Sequence, residues 1–260
     1  MDLHVDTSGS AERPTILFLH GSPLSGRMWK PQLAGLAPDF QCLAPDLPEH
    51  GRSAGIGPFQ IRDAVRRLSD LVVRSAPSGR AHVVGLSFGG VVAQALMALA
   101  PERVDRVILS GTATRLNPTL FAILKLQVDL NRPLLRWLPP KVLATMMRWQ
   151  FDLPRAYDAD LAEDLAAVPG DTLARFLLAT YADILTPTAT QSPTLVVVGN
   201  RETPFARWQA RRLAETIPGA RAARAPGLGH VWNLQNPNLF NAMVRAWMLD
   251  RPLPQELETR

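Results

Sequence analysis

Short apolar runs alternate along the chain with longer stretches in which apolar residues recur every three or four positions. A continuous apolar run is typical of a strand buried on both faces, and the longer spacing is typical of an amphipathic helix. The runs are TILFLH (15–20), FQCLAP (40–45), AHVVGL (81–86), VDRVILS (104–110) and TLVVVG (194–199), with weaker candidates at ARAARA (220–225) and LHVDT (3–7). The helical patterns cover about 26–37, 60–75, 88–100, 205–217 and 237–249. This alternation predicts an α/β fold with a mainly parallel sheet covered by helices.

The alternation breaks between residues 112 and 191, where the pattern is helical. Its periodic segments are TLFAILKLQVDL, KVLATMMRWQF, DADLAEDLAAV and DTLARFLLATYADIL. Prolines divide the stretch at places where helices are expected to end: Pro133, Pro139, Pro140, Pro154, Pro169 and Pro187. The sequence therefore predicts a core domain formed by 1–111 and 192–260, with a helical cap, 112–191, inserted in it. The last residues, DRPLPQELETR, are expected to form a polar tail.

Composition and charge narrow the classes of function. The chain has 260 residues, of which 47% are hydrophobic and 20% charged, as is ordinary for a globular enzyme and unlike a disordered chain. The net charge is +5, but basic residues are scattered singly or in pairs such as Arg66-Arg67. A nucleic-acid surface would favour a basic run or patch. We therefore expect solvated helix faces and no nucleic-acid partner.

The single cysteine, Cys42, excludes an internal disulfide and a cysteine-based zinc site, and its apolar neighbours predict a buried thiol. The N-terminus has early acids and no apolar signal-peptide core, so a cytoplasmic location is expected. Residues 82–100 carry no Asp, Glu, Lys or Arg over roughly the length of a membrane span. Glycines in their middle favour a buried strand, a tight turn and a buried helix instead, without membrane association.

The strongest chemical signal is the motif G-x-S-x-G at Gly85-Leu86-Ser87-Phe88-Gly89. A strand precedes it and the apolar helix VVAQALMALA follows it, which is the context of a nucleophile on a sharp strand-to-helix turn. Glycines beside the serine leave room for a strained backbone, and the helix N-terminus favours developing negative charge. A serine that only packs is the alternative, and this context favours the nucleophile, Ser87.

A serine nucleophile needs a general base and an acid that orients the base. Among the histidines, His230 lies after the last weak strand and completes the order serine, acid, histidine. The loop GTATR offers no carboxylate, whereas Glu202 is the first acid after the strand TLVVVG. Glutamate is one methylene longer than aspartate, so its loop must lie farther from the histidine. The alternative is a solvated glutamate paired with Arg201 or Arg207.

The site also needs two N–H donors for an oxyanion, and it needs a pocket. The N–H after the nucleophile belongs to Phe88, and the turn HGSPLSGRMW offers the N–H of Ser22. The side chains predicted to line the pocket are Leu24, Met28, Trp29, Trp149 and Trp232.

Other large apolar residues of the cap are expected mostly in its own core: Phe121, Leu126, Trp137, Met146, Met147, Phe151, Phe176 and Tyr181. An apolar pocket favours short or medium acyl or aryl esters. A substrate with a carboxylate would instead need a cation, for which Arg115 is the candidate.

With these motifs the chain resembles the α/β-hydrolase superfamily over nearly its whole length. The motifs are HGSPLSGRMW, DLPEHGRS, GLSFGG, LVVVGNRETP and PGLGHVWN. GLSFGG with APERVDRVILSGTATR is similar to the 3-oxoadipate enol-lactonase and small esterase branch, and HGSPLSG to the cofactor-free haloperoxidase and perhydrolase branch. Two residues depart from the family pattern: Glu202 stands where most relatives carry Asp, and Glu49 where they carry Gly.

The resemblance implies the α/β-hydrolase fold and a hydrolase of small, largely apolar carboxylic esters or lactones, acting through an acyl-enzyme without metal or organic cofactor. No phosphate-binding loop, ligand cluster or dinucleotide fingerprint occurs in the sequence. Hydrolysis of a C–C bond in a ring-cleavage product, a perhydrolase or haloperoxidase-type activity, and a non-catalytic receptor-like module are the alternatives. The expected partners are a small ester or lactone and water, and a homodimer is left open.

Overall fold

The computed structural model describes residues 1–168, 170–182 and 184–259. They contain one eight-stranded sheet in the order β1-β3-β2-β4-β5-β6-β7-β8. Strand β1 is antiparallel to β3, and β8 is antiparallel to β7, while the other neighbours are parallel. The strands are β1 (Val5–Ser8), β2 (Thr15–Leu19), β3 (Gln41–Pro45), β4 (Ala81–Leu86), β5 (Val104–Ser110), β6 (Thr194–Gly199), β7 (Arg221–Ala225) and β8 (Glu258–Thr259).

Helices cover both faces of the sheet, and the segment between β5 and β6 is a helical insertion. The insertion comprises α4 to α7, whereas the other helices follow the core strands. In chain order they are α1 (Lys30–Leu36), α2 (Ile61–Ser75), α3 (Phe88–Leu99), α4 (Pro118–Trp137), α5 (Pro140–Phe151), α6 (Asp158–Ala167), α7 (Gly170–Ala182), α8 (Pro204–Thr216), α9 (Trp232–Gln235) and α10 (Pro237–Met248).

The core has two apolar layers, one on each side of the sheet, because successive strand residues point to opposite faces. From β2, Ile16 and Phe18 pack in the layer that contains α10, while Leu17 and Leu19 pack in the layer that contains α3. Every residue of β2 is buried, which explains why the strand is continuously apolar from Ile16 to Leu19 instead of alternating. The parallel α/β prediction is thereby confirmed.

Two expectations about chain segments are wrong. The C-terminal segment is not simply a polar tail, because Leu257 is buried and β8 pairs with β7, which covers the backbone groups of that edge. Pro133 lies inside α4 and does not end it. Helix α4 packs against α7, and this tertiary contact outweighs the local cost of a proline. Pro169 lies outside the described residues.

The expectation that the large apolar side chains of the insertion form its own core is wrong for several of them. Leu126, Trp137 and Met146 are exposed, because α4 and α5 bury only the faces that meet their neighbours. Cys42 is buried as expected, and burial raises the pKa of its thiol to about 12. Among the helices that the structure describes, none combines the length and the apolar character needed to cross a membrane.

Ion pairs and hydrogen bonds tie the insertion to the core. Asp164 of α6 is fully buried and accepts hydrogen bonds from the N–H of Ser25 (3.0 Å), the guanidinium of Arg27 (3.0 Å) and the Tyr157 hydroxyl (3.2 Å). On the other side, Arg175 of α7 binds both carboxylate oxygens of Glu49 at 2.8 Å.

Glu49, noted above as a departure from the pattern that the resemblance implies, adopts a left-handed backbone conformation (φ 64°). A glycine would adopt this backbone without strain, whereas a glutamate must offset the strain through its side chain. The ion pair with Arg175 and a hydrogen bond from the N–H of Phe59 (2.6 Å) do so. The Glu49 side chain therefore joins the core to the insertion.

Asp46→Asn is expected to lower the free energy of unfolding by about 3 kcal/mol, because it removes the charge of a fully buried carboxylate that is paired with Arg52. Burial alone raises the pKa of Asp46, but hydrogen bonds from Arg52 and the N–H of Gly26 outweigh it and hold that pKa below its usual value. The stabilisation is therefore present above the unfolded-state pKa of about 4 and lost as the pH falls through the folded-state value.

Urea unfolding followed by circular dichroism at pH 7 and at low pH measures this effect. The difference in free energy of unfolding between wild type and Asp46→Asn should shrink at low pH. Asp70→Asn, an exposed substitution on α2, should change the free energy of unfolding by no more than about 0.5 kcal/mol at either pH. Equal stabilities of wild type and Asp46→Asn at pH 7 would contradict the assignment.

Candidate active site

Ser87 lies on a sharp turn between β4 and α3, with φ 54° and ψ −117°. Two close backbone approaches explain the neighbouring glycines. A Cβ on Gly85 would lie 2.6 Å from the carbonyl oxygen of Gly89, and a Cβ on Gly89 would overlap the carbonyl oxygen of Leu19 in β2. The turn therefore excludes side chains at positions 85 and 89, two residues before and after Ser87. It holds Ser87 in a backbone conformation that is strained for a non-glycine residue.

Glu202 and His230 form a short hydrogen bond at the carboxyl ends of β6 and β7. Nδ1 of His230 lies 2.7 Å from Oε2 of Glu202, and the Glu202 side chain is only 5% exposed. An ionised carboxylate accepts hydrogen bonds only, so Nδ1 carries the proton and Nε2 is left as a lone-pair acceptor. The longer arm of glutamate thus reaches the imidazole directly.

The alternative pairing of Glu202 with an arginine does not occur among the described residues. Arg201 lies 3.6 Å from Asp152, and Arg207 donates to the backbone carbonyl oxygens of Asn200 and Glu202, not to a carboxylate. These last two bonds hold the loop after β6, from which the Glu202 side chain turns inward.

Ser87, His230 and Glu202 all line one cavity of about 430 Å³ between the sheet and the insertion. Within the described residues the Ser87 hydroxyl has no hydrogen-bond partner, so no direct bond joins it to the imidazole. Serine–base hydrogen bonds are often long in a free enzyme and shorten when substrate binds. The three predicted catalytic residues are therefore brought to one site, with the acid–base contact already formed.

Gly111 packs against this pair from the end of β5. Its φ is 52°, and a Cβ there would lie 2.9 Å from Nδ1 of His230 and 3.0 Å from Oε1 of Glu202. Gly111→Ala is therefore expected to separate the two side chains and to lower kcat for ester hydrolysis by about 10²-fold, with KM changed much less. Steady-state kinetics on a p-nitrophenyl ester measure this effect.

Gly219→Ala is the matched control, because Gly219 also has a positive φ (68°) but faces open space away from the cavity. It should lose some stability and keep kcat. A Gly111→Ala variant with wild-type kcat would show that the contact between Glu202 and His230 tolerates a side chain there.

The predicted oxyanion donors, Ser22 and Phe88, lie together on the cavity wall. Within the described part of the chain, neither backbone N–H donates to another protein group. The Ser22 hydroxyl lies 3.2 Å from Nε2 of His50, and Nδ1 of His50 lies 3.0 Å from the carbonyl oxygen of Pro48. Burial lowers the pKa of His50 well below its usual value, so the ring is neutral and Nε2 accepts from Ser22.

His50 supports both oxyanion candidates, because its ring also stacks on Phe88 with centroids 5.8 Å apart. His50 belongs to the DLPEHGRS motif, and no function was predicted for it from the sequence. The order of residues along the chain gives no sign of this role, because the loop meets Ser22 and Phe88 only in the folded structure.

The pocket prediction needs correction at four of its five residues. Leu24 lines the cavity, but Met28, Trp29 and Trp232 are fully buried and lie outside its wall. Trp29 packs between Phe18 and Phe240, and the Trp232 indole N–H donates to the Ser110 hydroxyl (3.0 Å), which turns both rings toward the sheet.

The fourth residue, Trp149, is 78% exposed on the outer face of α5. Its neighbours on the same helix, Gln150 and Phe151, line the cavity instead. A helix that covers a cavity turns only one face inward, so residues adjacent in sequence point in different directions.

The cavity wall also contains side chains that sequence analysis missed or placed in the core of the insertion. They come from α5, α7 and α8: Met147, Phe151, Phe176, Leu177, Tyr181, Phe205 and Gln209. Phe205 and Gln209 are four residues apart and follow the Glu202 loop directly, so a helix there places both on one face near the candidate acid. This spacing was the signal in the sequence that could have identified them. Arg115 is exposed and does not line the cavity. The described residues contain no group of three metal-ligating side chains.

Comparison with known proteins gives the family. The sequence profile of the Alpha/beta hydrolase family matches residues 16–243. An AB hydrolase superfamily protein of Gibberella zeae is 31% identical over 94% of this chain and 83% of its own length. A pimeloyl-[acyl-carrier protein] methyl ester esterase of Pectobacterium atrosepticum is 28% identical over 94% of this chain and 98% of its own.

A solved structure shares both the fold and part of the sequence. The enol-lactonase from Burkholderia xenovorans LB400 superposes with a TM-score of 0.76 at 26% identity, covering 95% of this chain and 96% of its own. The profile match spans most of the sheet, the Ser87 turn and the Glu202–His230 pair. The chain therefore belongs to the Alpha/beta hydrolase family.

Proposed function

We propose that this hydrolase cleaves carboxylic esters or lactones of small, largely apolar substrates through an acyl-enzyme on Ser87. The observation that carries the proposal is the 2.7 Å contact between Glu202 and His230 in the cavity that also contains the Ser87 turn. The esterase and enol-lactonase relatives act on the same class of bond by their names, which supports this choice.

In the proposed reaction, Nε2 of His230 takes the Ser87 hydroxyl proton while Oγ attacks the carbonyl carbon of the substrate. The backbone N–H groups of Ser22 and Phe88 donate to the oxyanion that forms. Glu202 stabilises the imidazolium and keeps the proton on Nδ1. His230 then returns the proton to the leaving oxygen, and the acyl group stays on Ser87.

Deacylation repeats the same proton transfers with water in place of the alcohol. His230 removes a proton from a water molecule, the hydroxide attacks the acyl carbon, and the collapsing intermediate releases the acid and regenerates the Ser87 hydroxyl. The pocket permits this because its size, about 430 Å³, accommodates a small substrate together with water.

The wall of the cavity favours small apolar acyl or alcohol groups. Its apolar side chains include Leu24, Met147, Phe151, Phe176 and Leu177. Such a wall binds a substrate mainly by removing apolar surface from water, worth about 25 cal/mol per Å² buried. We therefore propose short or medium esters as substrates.

The test is turnover of a panel of p-nitrophenyl esters and aliphatic lactones, followed at 405 nm or by pH-stat, together with a fluorophosphonate probe. Hydrolysis of at least one class, and a phosphonyl adduct mapped to Ser87 by peptide mass spectrometry, are the expected results. If the folded protein shows neither turnover nor a phosphonyl adduct, the proposed hydrolase activity is contradicted and the non-catalytic receptor-like module is favoured.

A further inference from the structure

Two of the neutral polar side chains of the cavity wall that have no part in the proposed reaction lie on neighbouring helices of the wall. They are Gln209 of α8, which is 2% exposed, and Tyr181 of α7, which is half-buried. Both line the cavity that contains Ser87. A few polar groups in a mainly apolar pocket wall typically orient a ligand and give specificity, so these two side chains are candidates for contacts to the substrate.

The orientation of the Gln209 amide follows from its contact with the backbone. Its Oε1 lies 2.7 Å from the backbone N of Thr114, which can only donate. The oxygen is therefore engaged by Thr114, and the two N–H bonds of Nε2 are the groups of the amide that remain for a ligand. Thr114 fixes Gln209 as a hydrogen-bond donor.

Tyr181 lies beside this amide, and its ring packs against Val91, Ala113 and Ile184. Burial raises the pKa of the Tyr181 phenol, hydrogen bonding with Gln209 opposes that rise, and the charge of Glu202 adds to it. Among the described residues the Tyr181 hydroxyl donates to no protein acceptor within hydrogen-bond distance, so its proton is left for an acceptor in the cavity.

The charges around the cavity decide which acceptor is suitable. The charged residues of the wall, apart from the histidine, are Asp152, Arg201 and Glu202, and Arg201 already lies beside Asp152. A substrate carboxylate near Tyr181 would face the like charge of Glu202 without a free cation from this wall. A neutral oxygen atom accepts the same hydrogen bonds without that repulsion.

We propose that Gln209 and Tyr181 form a subsite that binds a neutral oxygen acceptor of the substrate, such as a ketone or hydroxyl oxygen. The inference rests on the proposed ester hydrolysis at Ser87 and specifies the substrate class. Donors held in an apolar cavity discriminate because a substrate without the oxygen leaves them unpaired. The subsite thus selects oxygenated, uncharged substrates over purely apolar and carboxylate-bearing ones.

Three p-nitrophenyl esters of matched chain length test this selection: the pentanoate, the 4-oxopentanoate and the succinate monoester. They present a methylene, a ketone and a carboxylate at the same position. For wild type, kcat/KM is expected to be about tenfold higher for the 4-oxopentanoate than for the pentanoate, and lowest for the succinate monoester. A preference for the succinate monoester would overturn the proposal.

Tyr181→Phe removes only the hydroxyl and keeps the ring. It should lower the ratio of kcat/KM between 4-oxopentanoate and pentanoate by about tenfold, mainly through KM of the oxo ester. Gln209→Met keeps the length of the side chain but removes both N–H donors, so it should lower the same ratio. Circular dichroism first checks that this variant is folded. An unchanged ratio in both variants would overturn the subsite.

Tyr157→Phe is the matched control, because the Tyr157 hydroxyl bonds Asp164 and lies outside the cavity wall. It should scale the rates of all three esters equally and leave their ratios as in wild type. The two proposals fail differently in this experiment. An unchanged ratio removes the subsite alone, whereas no hydrolysis of any ester by wild type removes the proposed reaction and the subsite with it.

Discussion

Replacing Ser87 with alanine is expected to lower kcat for ester hydrolysis by about 10⁵-fold or more, because it removes the proposed nucleophile from a strained turn at a helix N-terminus in the cavity wall. The substitution removes one oxygen atom and leaves the backbone turn, which Gly85 and Gly89 determine by their close contacts. Binding of substrate should therefore survive, so the loss should appear in kcat.

The measurement is p-nitrophenyl ester turnover with Ser78→Ala as the control, since Ser78 lies in an exposed turn between α2 and β4 and does not line the cavity. Ser78→Ala should match wild type in rate and in labelling by a fluorophosphonate. If Ser87→Ala retains wild-type turnover, the nucleophile is a different residue and the acyl-enzyme mechanism is wrong.

Replacing Glu202 with glutamine is expected to lower kcat by about 10⁴-fold, the loss found when the acid of a serine–histidine–acid set becomes an amide. The amide has nearly the same shape, so the 2.7 Å position beside Nδ1 remains filled. It lacks the charge that stabilises the imidazolium, and its NH₂ group favours the wrong histidine tautomer. The free energy of unfolding should change much less than the activation barrier.

A second variant distinguishes the effect of the carboxylate charge from the effect of the side-chain length. Glu202→Asp keeps the charge but withdraws the carboxylate by one methylene, so its kcat should fall between those of wild type and Glu202→Gln. Glu215→Gln, an exposed substitution near the end of α8, is the control and should leave kcat unchanged. Wild-type kcat in Glu202→Gln would show that the orienting acid lies elsewhere.

The positions of most strands along the chain were predictable, because they depend on local pattern. Buried parallel strands are apolar throughout, so β2 and β4 to β6 stand out in the sequence. Strand β8 was missed because two exposed polar residues carry no such pattern and pair only where β7 offers an edge.

The candidate catalytic residues were predictable for a similar reason. Carboxyl ends of parallel strands meet at one edge of the sheet, so side chains that follow β4, β6 and β7 converge without knowledge of packing. Ser87, Glu202 and His230 follow these strands in turn. No acid follows β5 in the sequence, and the structure explains why none fits there. Gly111 at that position packs directly against His230 and Glu202.

Pocket residues were not predictable in the same way, because their direction depends on contacts between distant elements. Trp29 and Trp232 look like pocket residues by position, yet Phe240 of α10 and the Ser110 hydroxyl draw them into the core. Gln209 and Tyr181 lie 28 residues apart in sequence and on different helices, and only the folded chain brings them to one wall.

The sequence by itself predicted most strands of the sheet, the helical insertion and the candidate catalytic residues Ser87, Glu202 and His230, since periodicity and strand ends carry that information locally. Tertiary structure alone decided that the glutamate reaches the imidazole, that Arg201 and Arg207 bond elsewhere, and which side chains form the cavity. The physical reason is that hydrogen bonding and packing require segments distant in sequence to be positioned to within about a few tenths of an ångström. Whether a segment forms a helix or a strand depends mainly on the order of residues adjacent in sequence.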